Sequence, residues 1–211
     1  MRLFAQKMND LMQRRTLQGY HGTNAENLES ISVRGLVPST GNHHWLGNGV
    51  YFFLSGISDP IRDAEEWASA EAWDNRKRCH RYNMFAVIRA EISSLRLLDL
   101  NSDEGKRALN FAREALENRC FDESCAGRFL GNPGFNDAVI IRLLIEQYQF
   151  DVCVYDFYIK SRGARILRRE SRFANVRVAC VQDPKCIVRS SITCVKQEKI
   201  QPYPPNDFGR V

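Results

Sequence analysis

The sequence predicts an α+β domain, and three observations support this. Strand-like and helix-like segments are interleaved without regular β-α-β alternation. No GxGxxG opens a helix after a strand and no Walker lysine motif is present, so neither a Rossmann nor a P-loop nucleotide site is supported. A length of 211 residues with 44% hydrophobic content suits a single core, with short extensions at either end.

The elements follow in order. The stretch "MRLFAQKMNDLMQRR" places Leu3, Phe4, Lys7, Met8, Leu11 and Met12 on one side of an amphipathic helix over residues 1–15. Its charges interrupt the apolar positions, so it lacks the core of a signal peptide, and the expected compartment is the cytoplasm. "TLQGYHG" reads as a strand. "NAENLESISVRG" reads as a helix capped by Asn24 and stopped by Gly35, with Leu28, Ile31 and Val33 facing inward. After a polar loop, "GVYFF" is a strand. Residues 59–79 are predicted as one helix opened by Asp59 and Pro60.

"YNMFAVIRAEI" and "LRLLDL" are strands, and residues 102–120 form a helix with Ser102 at its start. A glycine-rich loop, "AGRFLGNPGFN", precedes a buried helix in "DAVIIRLLIEQYQF". "DVCVYDF", "NVRVACV" and "CIVRSSITCV" close the domain as strands. The predicted organisation is a helix over 1–15, one domain over 16–195 and an irregular tail over 196–211.

Seven cysteines, an odd number without CxxC pairs, argue for free, mostly buried thiols and against a zinc site. The formal charge of +5 is uneven. "KSRGARILRRESRFANVR" carries Arg162, Arg165, Arg168, Arg169, Arg172 and Arg177 against one acid, Glu170. Such a run is usually a solvated surface. Its functional reading is a polyanion-binding edge, because guanidinium groups pair bidentately with phosphates.

Two short motifs carry the functional signal. A histidine at a strand end, as in "GYHGT", and a tyrosine in "LGNGVYFF" are each unremarkable strand material alone. Taken together and in order, "YHGT…I…GL…LGNGVYFF…A…WA" resembles the signature of ADP-ribosyltransferases of the diphtheria-toxin and poly(ADP-ribose) polymerase class. The resemblance is close over residues 19–73 and reduces to a pattern of strands beyond them.

The resemblance implies an ADP-ribosyltransferase fold: two small, mainly antiparallel sheets with flanking helices, forming a cleft for NAD as co-substrate, without a metal. It implies that His21 bonds a hydroxyl of the adenosine ribose. The Gly22 backbone binds the nicotinamide carboxamide, Thr23 supports that turn, and Tyr51 stacks on the nicotinamide ring. Trp67 is the candidate for a second aromatic wall, although a core tryptophan on an amphipathic helix reads equally well. Nicotinamide leaves as a neutral molecule, so the chemistry requires positioning and charge stabilisation of an oxocarbenium-like ribose more than a strong acid.

A third catalytic position, usually a glutamate, lies on a later strand in this family. The matching segment, "FANVRVACVQDPKCI", contains none. Arg177 is the inward-facing candidate by position, Asn175 is next, and Glu170 could reach in from the preceding loop. The expected catalytic set is therefore His21, Tyr51 and Arg177, with Arg168, Arg169 and Arg172 binding the acceptor.

Those arginines favour a nucleic-acid acceptor over a protein, with Trp45, Tyr158 and Phe173 available to stack bases. The resemblance also fits an intracellular toxin or phage-defence effector, held silent by an antitoxin or inhibitor protein. Three other readings stand beside it: transfer to protein, an NAD-dependent RNA 2'-phosphotransferase, and a non-catalytic NAD- or nucleic-acid-binding module.

Overall fold

A computed structural model describes residues 14–41, 44–74, 76–121 and 137–201. The predicted N-terminal helix and the glycine-rich loop therefore lie outside the described residues, apart from Arg14 and Arg15. In chain order the elements are β1 (Arg15–Asn24), α1 (Leu28–Arg34), β2 (Val50–Leu54), α2 (Pro60–Glu71), β3 (Trp73–Asp74) and β4 (Cys79–His80). They continue with β5 (Met84–Ser94), β6 (Leu97–Asp99), α3 (Asp103–Phe121), α4 (Asp137–Tyr148), β7 (Val152–Phe157), α5 (Arg162–Ile166), β8 (Val176–Val181) and β9 (Thr193–Lys199).

Mixed α and β structure is as expected, but the sheets differ from the two small ones predicted. Among the described residues, seven strands form one mixed sheet, ordered β6-β7-β8-β2-β1-β5-β9, and β3 and β4 pair separately. All neighbours in the large sheet are antiparallel except β6 and β7. The reason for the single sheet is a narrow junction. β1 and β2 pair only at Gly19↔Leu54 and Tyr20↔Phe53, which links a four-strand and a three-strand portion.

Strand alternation gives the sheet two apolar faces. Phe53, Val176, Val178 and Cys180 share one core with Ala64, Ala68 and Ala72 from α2 and its end, and with Ile141 and Leu144 from α4. Phe52, Leu54, Ile88, Ile92, Ala179 and Val181 form the other, covered by Ile31 of α1, Leu36 and Ile187. Burial on both faces explains why β2 and β8 read as continuous apolar runs.

Several boundaries depart from the prediction. Residues 59–79 are not one helix: α2 does open with the Asp59 side chain capping Ile61, but it ends near Ala72. Asp74 then accepts from the backbone N–H groups of Arg76 and Lys77, a turn that competes with continued helix and starts the β3–β4 hairpin. A single 3-10 turn at Ala25–Asn27 precedes α1, so Ile31 is buried and Val33 is exposed. Residues 186–195 are not one strand either. A 3-10 turn at Pro184–Cys186, capped by Asp183, and a second at Arg189–Ser191 come first, and β9 runs to Lys199, inside the predicted tail.

Cys153 and Cys180 are buried, but Cys79 and Cys194 are exposed, against the expectation of mostly buried thiols. Among the described residues, no helix is long and apolar enough to cross a membrane.

Candidate functional site: a split in the sheet

β1 pairs with β5 along its whole length, and β2 pairs with β8 from Val50 to Leu54. Continuing the β1–β2 register would put His21 opposite Phe52 and Gly22 opposite Tyr51. The strands separate there instead. Beyond Tyr20 and Phe53, the facing edges of β1 and β2 lack a strand partner among the described residues, so their backbone groups, apart from the Tyr51 carbonyl that His21 takes, are available to a ligand.

His21 sits in this gap. Its Nδ1 lies 2.8 Å from the Tyr51 carbonyl oxygen. A carbonyl can only accept, so Nδ1 carries the proton and donates it, leaving Nε2 as an acceptor. Burial holds the His21 pKa below its ordinary value, although the bond to Tyr51 works in the opposite direction. The imidazole therefore takes the place of a backbone donor for Tyr51 and keeps the two strands apart.

Tyr51 is fixed at its far end. Its hydroxyl donates to the Gly47 carbonyl at 2.7 Å and accepts from the Leu46 N–H at 3.1 Å. Burial raises its pKa strongly, with Cys180 close by, so the phenol stays neutral. His44 flanks the ring at 5.7 Å between centroids. Both bonds to the 46–47 loop lock the ring, which is what an aromatic wall requires.

Gly22 has a structural requirement of its own. A Cβ there would stand 1.9 Å from the Ala64 carbonyl oxygen on α2. The helix meets the strand at Gly22 through Ala64 and Ala68, small residues that permit this approach. Gly22 is thus required for packing before any ligand is considered. Thr23 accepts from Asn27 Nδ2 at 3.0 Å, which ties β1 to the turn before α1.

The gap opens into a cleft of 470 Å³ whose wall includes His21, Gly22, His44, Trp45, Tyr51 and Trp67. On one side, through His21 and Val37, it adjoins a hollow of 290 Å³ bordered by Thr23, Ser30 and Arg34. On the other side, through Phe53, Trp67 and Ile159, it adjoins a hollow of 280 Å³ bordered by Asp63, Lys160 and Asn175. Trp67 is 39% exposed and stands where the 280 Å³ hollow meets the cleft, so it is a wall residue as well as a packing residue.

The expected third position is not at this cleft. Arg177 alternates with Val176 and Val178, which face the helices α2 and α4, so its side chain points to the opposite face of the sheet. There it makes a bidentate pair with Asp156, at 2.7 and 3.0 Å. Asn175 borders the 280 Å³ hollow, but its amide is engaged with both the N–H and the carbonyl of Ile159. Glu170 lies on an exposed loop and pairs with Lys160 at 2.8 Å, an interaction that lowers its pKa.

Arg168, Arg169 and Arg172 occupy the exposed segment between α5 and β8, outside the lining of all three cavities. Tyr158 donates to the Arg169 carbonyl, and Phe173 is 85% exposed on the same segment. Trp45, in contrast, is part of the cleft wall.

Sequence reasoning missed Asp63, Glu71, His44 and Ile159 as lining residues. Asp63, Trp67 and Glu71 recur every four residues on α2, so the helical spacing that flagged Trp67 could have flagged both carboxylates. We expect Arg177→Ala to weaken stability by about 1–3 kcal/mol, because Asp156 loses its partner. A urea titration checks this, and an unchanged midpoint would mean that the pair does not help to hold β7 to β8.

No known protein family matches the chain. Over 91 residues the chain is 34% identical to the uncharacterized protein MJ0359 of Methanocaldococcus jannaschii. The match covers 41% of this chain and 38% of that protein, so the similarity spans less than half of either. The name of that protein assigns no activity.

Proposed function

We propose that the chain is an NAD-dependent mono-ADP-ribosyltransferase that releases nicotinamide and modifies a nucleic acid. The observation that carries this reading is the sheet split at His21 and Tyr51. It offers free backbone edges, a neutral imidazole and a locked aromatic face within one cleft. A cavity of 470 Å³, with a hollow at each end, suits an extended ligand and falls within the ordinary range of ligand sites.

In this reading the adenosine half occupies the hollow beside Thr23 and Arg34, where His21 Nε2 accepts from a ribose hydroxyl. The nicotinamide ring lies against Tyr51, with its carboxamide on the freed backbone at Gly22. Trp67 forms the opposite wall. The protein's contribution is to hold a reactive dinucleotide in one bent conformation and keep water out. The acceptor approaches from the side of Asp63 and Lys160, next to the arginine-rich segment.

The choice of nucleic acid rests on that segment. Arg168, Arg169 and Arg172 flank an exposed aromatic, Phe173, which is the combination of phosphate and base contacts used on single strands.

The test is labelled NAD incubated with the protein and cell extract, then divided between protease and nuclease. Nicotinamide release, with label that survives protease and is lost to nuclease, is the expected result. NAD binding without nicotinamide release overturns the enzyme reading, and label lost to protease alone makes the acceptor a protein. Replacing Arg169 and Arg172 by Ala is expected to weaken single-strand binding about tenfold and flatten its salt dependence. An unchanged salt slope would remove the segment from the acceptor site.

A further inference from the structure

We propose that Asp63, on α2, is the general base that takes the proton from the incoming acceptor, supplying the carboxylate that β8 lacks. This rests on the transferase reading above. Among the described residues, four carboxylates border the central cleft and the hollow beside it: Asp59, Asp63, Glu66 and Glu71. Asp59 and Glu71 are exposed, Glu66 uses both of its oxygens, and Asp63 is half-buried with one oxygen open. Asp59 caps α2 by accepting from Ile61 N–H. Glu66 pairs with Arg62 through one oxygen and accepts from Arg162 N–H through the other. Glu71 lies beside Arg81, 3.6 Å away.

Asp63 differs from these. Its Oδ2 accepts from the Ser58 hydroxyl, and Oδ1 is left to accept from a ligand. It lies one helical turn from Trp67, on the same side of α2, so the carboxylate and the aromatic wall face the same hollow. Burial raises its pKa. The neighbouring Asp59 and Glu66 push in the same direction, and the Ser58 bond and Arg62 oppose it. Lys160 and Arg165 face the hollow from the segment around α5, and Asn175 from the start of β8.

This lining also limits the acceptor. Phe53, Trp67 and Ile159 offer apolar walls for a flat ring, Asp63 needs an N–H donor, and Lys160 and Arg165 border the rim with positive charge. A nucleobase carrying an amino or ring N–H, with its flanking phosphates on the cations, meets all three demands. In the reaction, the bond between the nicotinamide nitrogen and the ribose carbon breaks, and its electron pair leaves with nicotinamide. The base nitrogen forms the new bond to that carbon. Its proton passes to Asp63 Oδ1 and from there to solvent.

The test uses the full chain, NAD and single-stranded oligonucleotides that contain each of the four bases. Asp63→Asn should reduce the rate of transfer about 10²–10⁴-fold. Its NAD affinity by calorimetry, and its thermal midpoint, should stay close to wild type. Ser58→Ala removes a bond that favours the ionised form, so the acid limb of the rate profile should move to higher pH. An Asp63→Asn variant that transfers at the wild-type rate overturns the proposal. So does a Ser58→Ala profile that stays in place or moves to lower pH. Wild-type protein that releases no nicotinamide overturns the transferase reading beneath it, a distinct result.

Discussion

Gly22→Ala is expected to destabilise the fold by about 3 kcal/mol, at the upper end for an overpacked site. The new Cβ would lie 1.9 Å from the Ala64 carbonyl oxygen, and that atom belongs to the backbone of α2, so no rotamer change can relieve the clash. Either β1 or the whole helix must shift. For a chain of this size, a loss of that magnitude lowers the thermal midpoint by roughly 6–12 °C. The check is a urea titration, in which the midpoint should fall while the slope stays constant. An unchanged midpoint would mean that α2 is not seated on Gly22. Because Trp67 rides on α2, the same variant should also widen the cleft and weaken the proposed NAD binding.

Under the proposed transferase reading, His21→Ala and Tyr51→Ala should each abolish nicotinamide release, to below about one hundredth of wild type, for different physical reasons. Without the imidazole, the Tyr51 carbonyl loses its donor, and β1 and β2 are free to continue their ladder, with Gly22 facing Tyr51. That closes the cleft by making the sheet more regular. Tyr51→Ala removes the wall itself. Tyr51→Phe separates the roles: the ring remains, while Leu46 N–H and the Gly47 carbonyl lose the hydroxyl. It should cost about 1–3 kcal/mol of stability yet retain much of the activity. If Tyr51→Phe and Tyr51→Ala are equally inactive, the hydroxyl rather than the ring matters.

His21 also predicts a pH dependence. Its folded pKa lies below the ordinary 6.5, so the unfolded chain binds more protons as pH falls beneath that value. This contribution to stability is present above pH 6.5 and declines below it, until the folded-state pKa is passed. His21→Asn, whose amide can still donate to Tyr51, should remove this part of the pH dependence. Denaturant midpoints at pH 7 and pH 5.5, compared for the two proteins, measure it.

The parts of the fold that were legible in the sequence share one property: their signal is local. β2, β5, β7 and β8 are dense in apolar and β-branched residues because they are buried, largely on both faces. α2 announced its start through Asp59-Pro60, and α1 its end through Gly35, whose φ of 84° suits glycine. β9 was harder to read. It is an edge strand with polar residues on both faces, and "KQEK" carries no alternation that could reveal it. The short helix α5 was hidden in the arginine run, where the Ser161 cap is the one clear sign.

The candidate site divides in the same way. The pairing of "YHGT" with "GNGVYFF" was visible because each residue sits in a distinctive glycine and aromatic setting. What those residues do to one another was not. That His21 spreads two strands by taking over a backbone bond depends on the ladder ending after two residue pairs, a tertiary fact. Arg177 was misplaced because strand alternation settles its face only once the register with β2 and β7 is known.

By itself the sequence determined the α+β class, the order of the main elements and the two motifs that meet at the cleft. Spacing and composition act within a few residues along the chain, and that range is sufficient for them. Tertiary packing was needed to show that one splayed sheet forms the cleft, that Gly22 is held by α2, and that Asp63 is the half-buried carboxylate with an open oxygen beside the cleft. These depend on which segments, distant in sequence, are pressed within a few ångströms of one another, and packing alone selects those neighbours.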